Sequence, residues 1–238
     1  MDVSVRSEPS ADTRVVRVFE GEQLDAPLQA LVDSGEAKAE LKRTAVFHDD
    51  GRRVILAGAG KRSEADAERL RVAAAAAATR AKELSSQSLA WLVPETPGAT
   101  TGIVQGTLLA LYRFDRFKSN ADDGTNVEAL ELIGGSDADA DPARIEAEAQ
   151  NAARDLQNLP ANVATPEFLS ARARELEGVE VDVLGRDEIE ARGMGALAAV
   201  SQGTYVEPQL IVLRYDGGGS GPPLGYVGKA MTFSCGST

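Results

Sequence analysis

A single histidine, His48, and a single cysteine, Cys235, restrict the chemistry open to this sequence. A His/Cys zinc cluster needs three or four such ligands and an internal disulfide needs two thiols, so both are excluded. Catalysis would have to draw on carboxylates, lysine, arginine or hydroxyls. Lys229 stands out, because Tyr226-Val227-Gly228-Lys229 puts a lone lysine directly after a short apolar run. In α/β proteins functional groups cluster at strand ends. A lysine there can ligate a metal or polarise a carbonyl when burial and nearby cations favour its neutral form. The residues alone favour the plainer reading, a surface lysine at a strand–loop junction.

Three other stretches invite a chemical reading and resist it. Gly58-Ala59-Gly60-Lys61-Arg62-Ser63 lies between a strand pattern and a helix pattern, where a phosphate-cradling loop would sit. A P-loop needs a glycine five positions before its Gly-Lys pair and a hydroxyl after it, and Ile55 and Arg62 stand there instead. The third glycine of a dinucleotide turn is also absent, so a strand-to-helix turn is expected. His48 precedes Asp49-Asp50-Gly51, but no nucleophile motif accompanies this His–Asp pair, and an exposed turn is expected. Gly217 to Gly219 are followed by no helix signal, so Asp216 to Pro223 reads as a flexible connection. Cys235 reads as an incidental thiol.

The elements that must position these residues follow from composition and period. The chain has 238 residues, 43% of them apolar, enough for one large or two ordinary domains with a real core. Its net charge of -12 argues against a general nucleic-acid binder, which needs a basic footprint. Of the 25 basic residues 19 are arginine, and Asp137, Asp139 and Asp141 cluster. A salt-adapted acidic surface and an arginine- and alanine-favouring genome explain this bias equally well. Met1 to Ser10 has no apolar run, and the alanine-rich window from Val72 to Ala78 is far too short to span a bilayer. A soluble, cytoplasmic protein with no membrane partner is expected.

Strands are predicted at Arg14–Phe19, Arg53–Ala57, Leu89–Val93, Val127–Ile133, Val179–Leu184, Gln209–Tyr215 and Leu224–Val227. Helices are predicted at Glu64–Leu84, capped by Ser63, and at Thr101–Tyr112, Ala143–Gln157, Pro166–Leu176 and Asp187–Arg192. Thr165 is the expected cap of the Pro166 helix, and Ser136 to Pro142 reads as an acidic connector. Strands interleaved with helices indicate an α/β layer structure. The shift in composition places an N-terminal α/β domain at residues 1–140, a linker helix at 141–158 and a second domain at 159–238.

Several stretches resemble one family when taken together. Tyr112-Arg113-Phe114-Asp115-Arg116-Phe117-Lys118 is similar to the YRFDRYK signature of the leucyl (cytosol) aminopeptidases, the M17 metallopeptidases. Asn158-Leu159-Pro160-Ala161-Asn162 with Thr165-Pro166-Glu167-Phe168-Leu169 resembles the entry to that family's catalytic domain. Gly193 to Leu197 with Val200 to Thr204, Pro208 to Tyr215 and Val227 to Phe233 resemble its GMGAL…QGS, PxLIVLxY and VGKGITF segments. The motifs occur in family order, from about Arg53 to Phe233.

The resemblance implies a macro-like N-terminal α/β domain followed by the first part of an M17-type α/β catalytic domain. It implies release of N-terminal amino acids from peptides, assembly as a homohexamer, and two divalent cations (manganese, zinc or magnesium) that activate water and stabilise the oxyanion. Lys229 matches the family's metal-binding lysine. Ser234 stands where the first ligating aspartate is expected, and a neutral hydroxyl is a poor substitute for a carboxylate on a hard cation. Ala230 replaces the glycine that follows the lysine. The family's second active-site lysine and its remaining acidic and arginine residues would fall after Thr238. The expectation is therefore a fragment of an aminopeptidase, inactive by itself and binding no metal pair; the alternative is a stand-alone, non-catalytic binding or regulatory module.

Overall fold

A computed structural model describes residues 1–49, 51–119 and 126–230. The chain divides into two compact units, Met1–Asp155 and Leu156–Thr238.

The first unit is organised around a six-stranded sheet. In chain order its elements are β1 (Asp2–Arg6), β2 (Thr13–Phe19), α1 (Ala26–Asp33), β3 (Thr44–Asp49), β4 (Arg52–Gly60), α2 (Ala67–Glu83), β5 (Ser88–Leu92), α3 (Ala99–Ala110), β6 (Ala129–Ile133) and α4 (Asp137–Asn158). The strand order is β1-β6-β5-β2-β4-β3, parallel throughout except for β3, which pairs antiparallel with β4 at one edge. The interior strands are buried on both faces, which is why TRVVRVF and RRVILAGAG read as continuous β-branched runs. Val15, Phe19, Ile55, Leu89, Trp91, Leu130 and Leu132 face one core, with α2, α3 and α4 against them. Val16, Val18, Val54 and Leu56 face the other, under Leu28 of α1.

Small residues set the spacing on the first face. Leu70, Ala73, Ala74, Ala77, Ala78 and Ala81 form one buried stripe of α2, the three-and-four spacing of a helix face. Gly102 and Gly106 of α3 lie against it so closely that an added Cβ would fall on the carbonyl oxygens of Ala67 and Arg71. The α2–α3 contact is therefore backbone against backbone.

Several expectations need correction. Ser63 is not the cap of α2: Arg62–Glu64 form a 3-10 turn, and the Asp66 side chain accepts the Arg69 amide at 2.8 Å. The stretch from Ser136 to Pro142 is not a connector, since α4 already begins at Asp137. The Ser136 carbonyl accepts from Ala140 at 2.9 Å, and Asp137 and Asp139 sit in the first turn, where a helix dipole favours negative charge. His48 is exposed as expected, but it lies within β3, paired across from Arg53, rather than in a turn. Strands β1 and β3, helix α1 and the short helix at Gly195–Val200 carried no predicted element.

The second unit contains α5 (Pro166–Arg174), β7 (Glu180–Leu184), α6 (Arg186–Ala191), α7 (Gly195–Val200) and β8 (Leu210–Arg214). Thr165 caps α5 as expected, its hydroxyl accepting from the Phe168 amide at 3.2 Å. β7 and β8 form an antiparallel pair running from Glu180↔Arg214 to Leu184↔Leu210. The strand predicted at Leu224–Val227 is not formed. Tyr226 and Val227 are fully exposed, and among the described residues no strand pairs with this segment.

Candidate metal-ligand segment

Lys229 lies in an extended stretch outside regular structure, exposed to solvent. Among the described residues no carboxylate pairs with it, and no group of three or more His, Cys, Asp or Glu side chains could hold a metal ion. Ser234 and Cys235 lie outside the described residues. Among the described residues the segment thus presents one amine with no second ligand beside it.

Gly58 and Gly60 lie in the last residues of β4 rather than in a phosphate-cradling turn. The Gly58 amide donates to the Arg43 carbonyl at 2.9 Å and the Gly60 amide to the Ala39 carbonyl at 2.7 Å. Lys61 faces Glu64 at 3.8 Å, and Arg62 donates to Glu22 at 2.7 Å. Both glycine amides and both basic side chains are thus engaged within the chain. The glycines serve close packing instead: Gly60 has φ +75°, and a Cβ on Gly58 would meet the backbone oxygens of Lys38, Ala39 and Glu40.

Two of the sequence motifs make structural contacts. In Tyr112–Lys118, Asp115 pairs with both Arg113 and Lys118, and the Phe114 and Phe117 rings tilt against each other at 5.9 Å. The Tyr112 hydroxyl donates to Asp155 at 2.8 Å, and the Arg154 guanidinium lies over its ring. This cluster ties the end of α3 to α4. In the second unit Gly193, at φ +70°, ends α6 by letting Met194 donate back to the Ile189 carbonyl at 3.1 Å. The Glu188 carboxylate accepts from the Gly185 amide at the start of the same helix. Glu207 accepts from the Arg186 amide at 2.6 Å, fixing the approach to β8.

Two domain models of one family match the chain in order. The N-terminal domain of the cytosol aminopeptidase family covers residues 6–121, and its catalytic domain covers residues 151–238. This chain belongs to the cytosol aminopeptidase family. Among cytosol aminopeptidase relatives, a probable cytosol aminopeptidase of Roseiflexus castenholzii is 37% identical over 95% of this chain and 51% of its own length. One from a Synechococcus strain is 37% identical over 90% of this chain and 46% of its own length. The chain spans about half the length of the curated relatives it matches. The bottromycin maturation enzyme BotP shares the fold at a TM-score of 0.74 and 25% identity, over 87% of this chain and 46% of that one. A mutant of tomato leucine aminopeptidase does so at 0.72 and 21%, over 90% and 50%. The α/β fold class expected from the sequence is borne out.

Two residues escaped the sequence reading. Glu131 is a carboxylate within the apolar strand ALELI, and a lone acid in such a run is the signal that could have marked it. Its side chain, 7% exposed, accepts from the Ser10 hydroxyl, from the Ser10 amide at 2.7 Å and from the Ala11 amide at 3.0 Å, with Arg6 at 3.5 Å. Burial pushes this carboxyl upward, but the bonds from Ser10 and Ala11 and the charge of Arg6 outweigh it, leaving it below the usual glutamate value. Gln209, just before β8, has a buried Oε1 with no hydrogen-bond partner.

Proposed function

We propose that this chain is the N-terminal portion of a two-metal aminopeptidase that releases N-terminal residues, leucine among them, from peptides. The observation that carries this reading is the position of Lys229. It lies in the Val227 to Phe233 segment, within the catalytic-domain match and downstream of every other family motif in order. A neutral lysine amine is a competent ligand for a divalent cation. Such a pair of ions would supply a metal-bound hydroxide and oxyanion stabilisation. One structural neighbour, BotP, is known in complex with manganese, which supports manganese beside zinc or magnesium as the ion.

The residues present do not fit the metal pair. Lys229 is exposed, no carboxylate cluster accompanies it among the described residues, and Ser234 brings no negative charge to the expected ligand position. In this reading the 238 residues by themselves are inactive and hold no metal pair. The remaining ligands belong to sequence like that of the longer relatives. Assembly as a homohexamer in the cytoplasm belongs to the same reading, as does the division into residues 1–140, a linker at 141–158 and a catalytic portion from 159.

The self-contained core of residues 1–155 supports the second reading, a stand-alone binding or regulatory module. Reading the DNA beyond codon 238 separates the two. A downstream segment rich in aspartate and glutamate that resembles the rest of the family domain, in any frame, supports the aminopeptidase. An unrelated gene there supports the module and overturns the first reading.

A further inference from the structure

We propose that the free edge of β3 pairs antiparallel with β3 of a second copy of this chain, joining two six-stranded sheets into one. The contact lies within the first unit and rests neither on Lys229 nor on the aminopeptidase reading.

The edge is open. β3 is the last strand of its sheet, and among the described residues only β4 pairs with it. The Gly58 amide donates to the Arg43 carbonyl at 2.9 Å, which sets the phase of the antiparallel ladder. Ala45, Phe47 and Asp49 therefore bond inward to Leu56, Val54 and Arg52, while the N–H and C=O groups of Thr44, Val46 and His48 point outward. Edge strands are commonly blunted by proline, by lysine or by a bulge. Thr44–Asp49 contains neither residue, and its register with β4 runs unbroken.

The sequence along this edge is complementary to itself, which identifies the occupant as a second copy. In an antiparallel pair centred on Val46, Thr44 meets His48 of the second copy, so the outward groups of all three residues find partners. The same register sets Ala45 beside Phe47 of the second copy, small against large, and Arg43 beside its Asp49. Arg43 and Asp49 are both exposed. Asp49 already stands across from Arg52 of its own β4, so each carboxylate would lie between two guanidinium groups. Opposite charges across a strand pair are stabilising and like charges are not. Sliding one strand by two residues removes this match, because Asp49 then meets Leu41 or Ala45.

The flank has room for the partner. Ala45 and Phe47 pack on the α1 side, so Thr44, Val46 and His48 face the α2 side. There Thr44, Val72, Ala75 and Ala76 line an open groove whose lining also includes Glu83. His48 of the second copy, opposite Thr44, enters this groove. A net charge of -12 on each copy works against association, so the pairing is reversible and depends on concentration.

Amide exchange on the unsubstituted 238-residue chain tests the edge directly. Exchange at Thr44, Val46 and His48 should slow as protein concentration rises, while Phe47, already bonded to β4, stays unchanged. Exchange independent of concentration overturns the proposal, whether the edge stays open or is covered by its own chain. Disulfide trapping tests the register. In a Cys235→Ser background, Val46→Cys lies on the two-fold axis and should crosslink about tenfold faster than His48→Cys under mild oxidant, because geometry holds the thiols together. His48 is the more exposed position, so random collision favours the opposite order. Equal rates, or faster crosslinking through position 48, overturn the proposal. Adding Asp49→Lys should slow the Val46→Cys crosslink by setting like charges opposite Arg43, and indifference to this change overturns the register. None of these readouts uses a metal or turnover, so their failure leaves the aminopeptidase reading standing.

Discussion

The guanidinium of Arg154 lies 3.8 Å from the centroid of the Tyr112 ring, and the same arginine donates to the Leu109 carbonyl at 3.0 Å. One residue further along α4, Asp155 accepts the Tyr112 hydroxyl. With Asn151 bonded to the Leu108 carbonyl, the last turn of α3 is held along one side of α4. The family motif beginning at Tyr112 therefore starts with a fastening between helices.

Arg154→Ala should remove a cation–π contact and a charge-assisted bond to a helix-end carbonyl. A loss of about 1–2 kcal/mol is expected from these two contributions. Tyr112→Phe, which loses only one solvent-accessible hydrogen bond, should cost less than about 1 kcal/mol. Urea denaturation of the two variants measures the difference, and the reverse order of effect would contradict the fastening.

Glu131 makes stability depend on pH in a defined direction. Its carboxyl is lowered in the folded state. Its contribution is therefore fully present above the unfolded glutamate value and is lost as pH falls through the folded one. Glu131→Gln should destabilise the chain at neutral pH by about 1–3 kcal/mol, the cost of weakening a buried, multiply bonded acceptor. The gap to the unsubstituted protein should narrow as acid protonates Glu131. Urea melts between neutral and strongly acidic pH report this; a gap that widens in acid would refute the sign.

Close backbone approach makes the glycines unequal. Gly58→Ala and Gly106→Ala each set a Cβ onto a neighbouring carbonyl oxygen, of Glu40 and of Arg71 respectively. Each should cost about 1–3 kcal/mol or more from overpacking. Gly195→Ala, in α7 with nothing within 4 Å of its Cβ, should be neutral or stabilising by up to about 1 kcal/mol. Thermal melts of the three variants compare them directly.

What the sequence showed and what it concealed have physical reasons. The interior strands β2, β4, β5 and β6 were legible because burial on both faces demands unbroken apolar runs. β1 was not, since DVSVR at a sheet edge has only two apolar residues. β3 ends in Phe47-His48-Asp49, whose polar tail mimics a turn. Helices α1 and α7, at eight and six residues, are too short for a period to emerge. Ser63 and Asp66 both had cap chemistry, and the 3-10 turn over Arg62–Glu64 decided for Asp66. At the candidate site only Lys229 was legible, through the family motif around it, while Gln209 gave no signal because an orphaned oxygen is a property of packing.

If the 238 residues carry Lys229 as a lone family ligand without a functional metal pair, incubation with manganese and a leucine chromogenic amide should give no turnover above the metal-only background, and Lys229→Met should be indistinguishable from the unsubstituted chain. Manganese-dependent turnover comparable to that of a complete aminopeptidase, abolished by Lys229→Met, would contradict it.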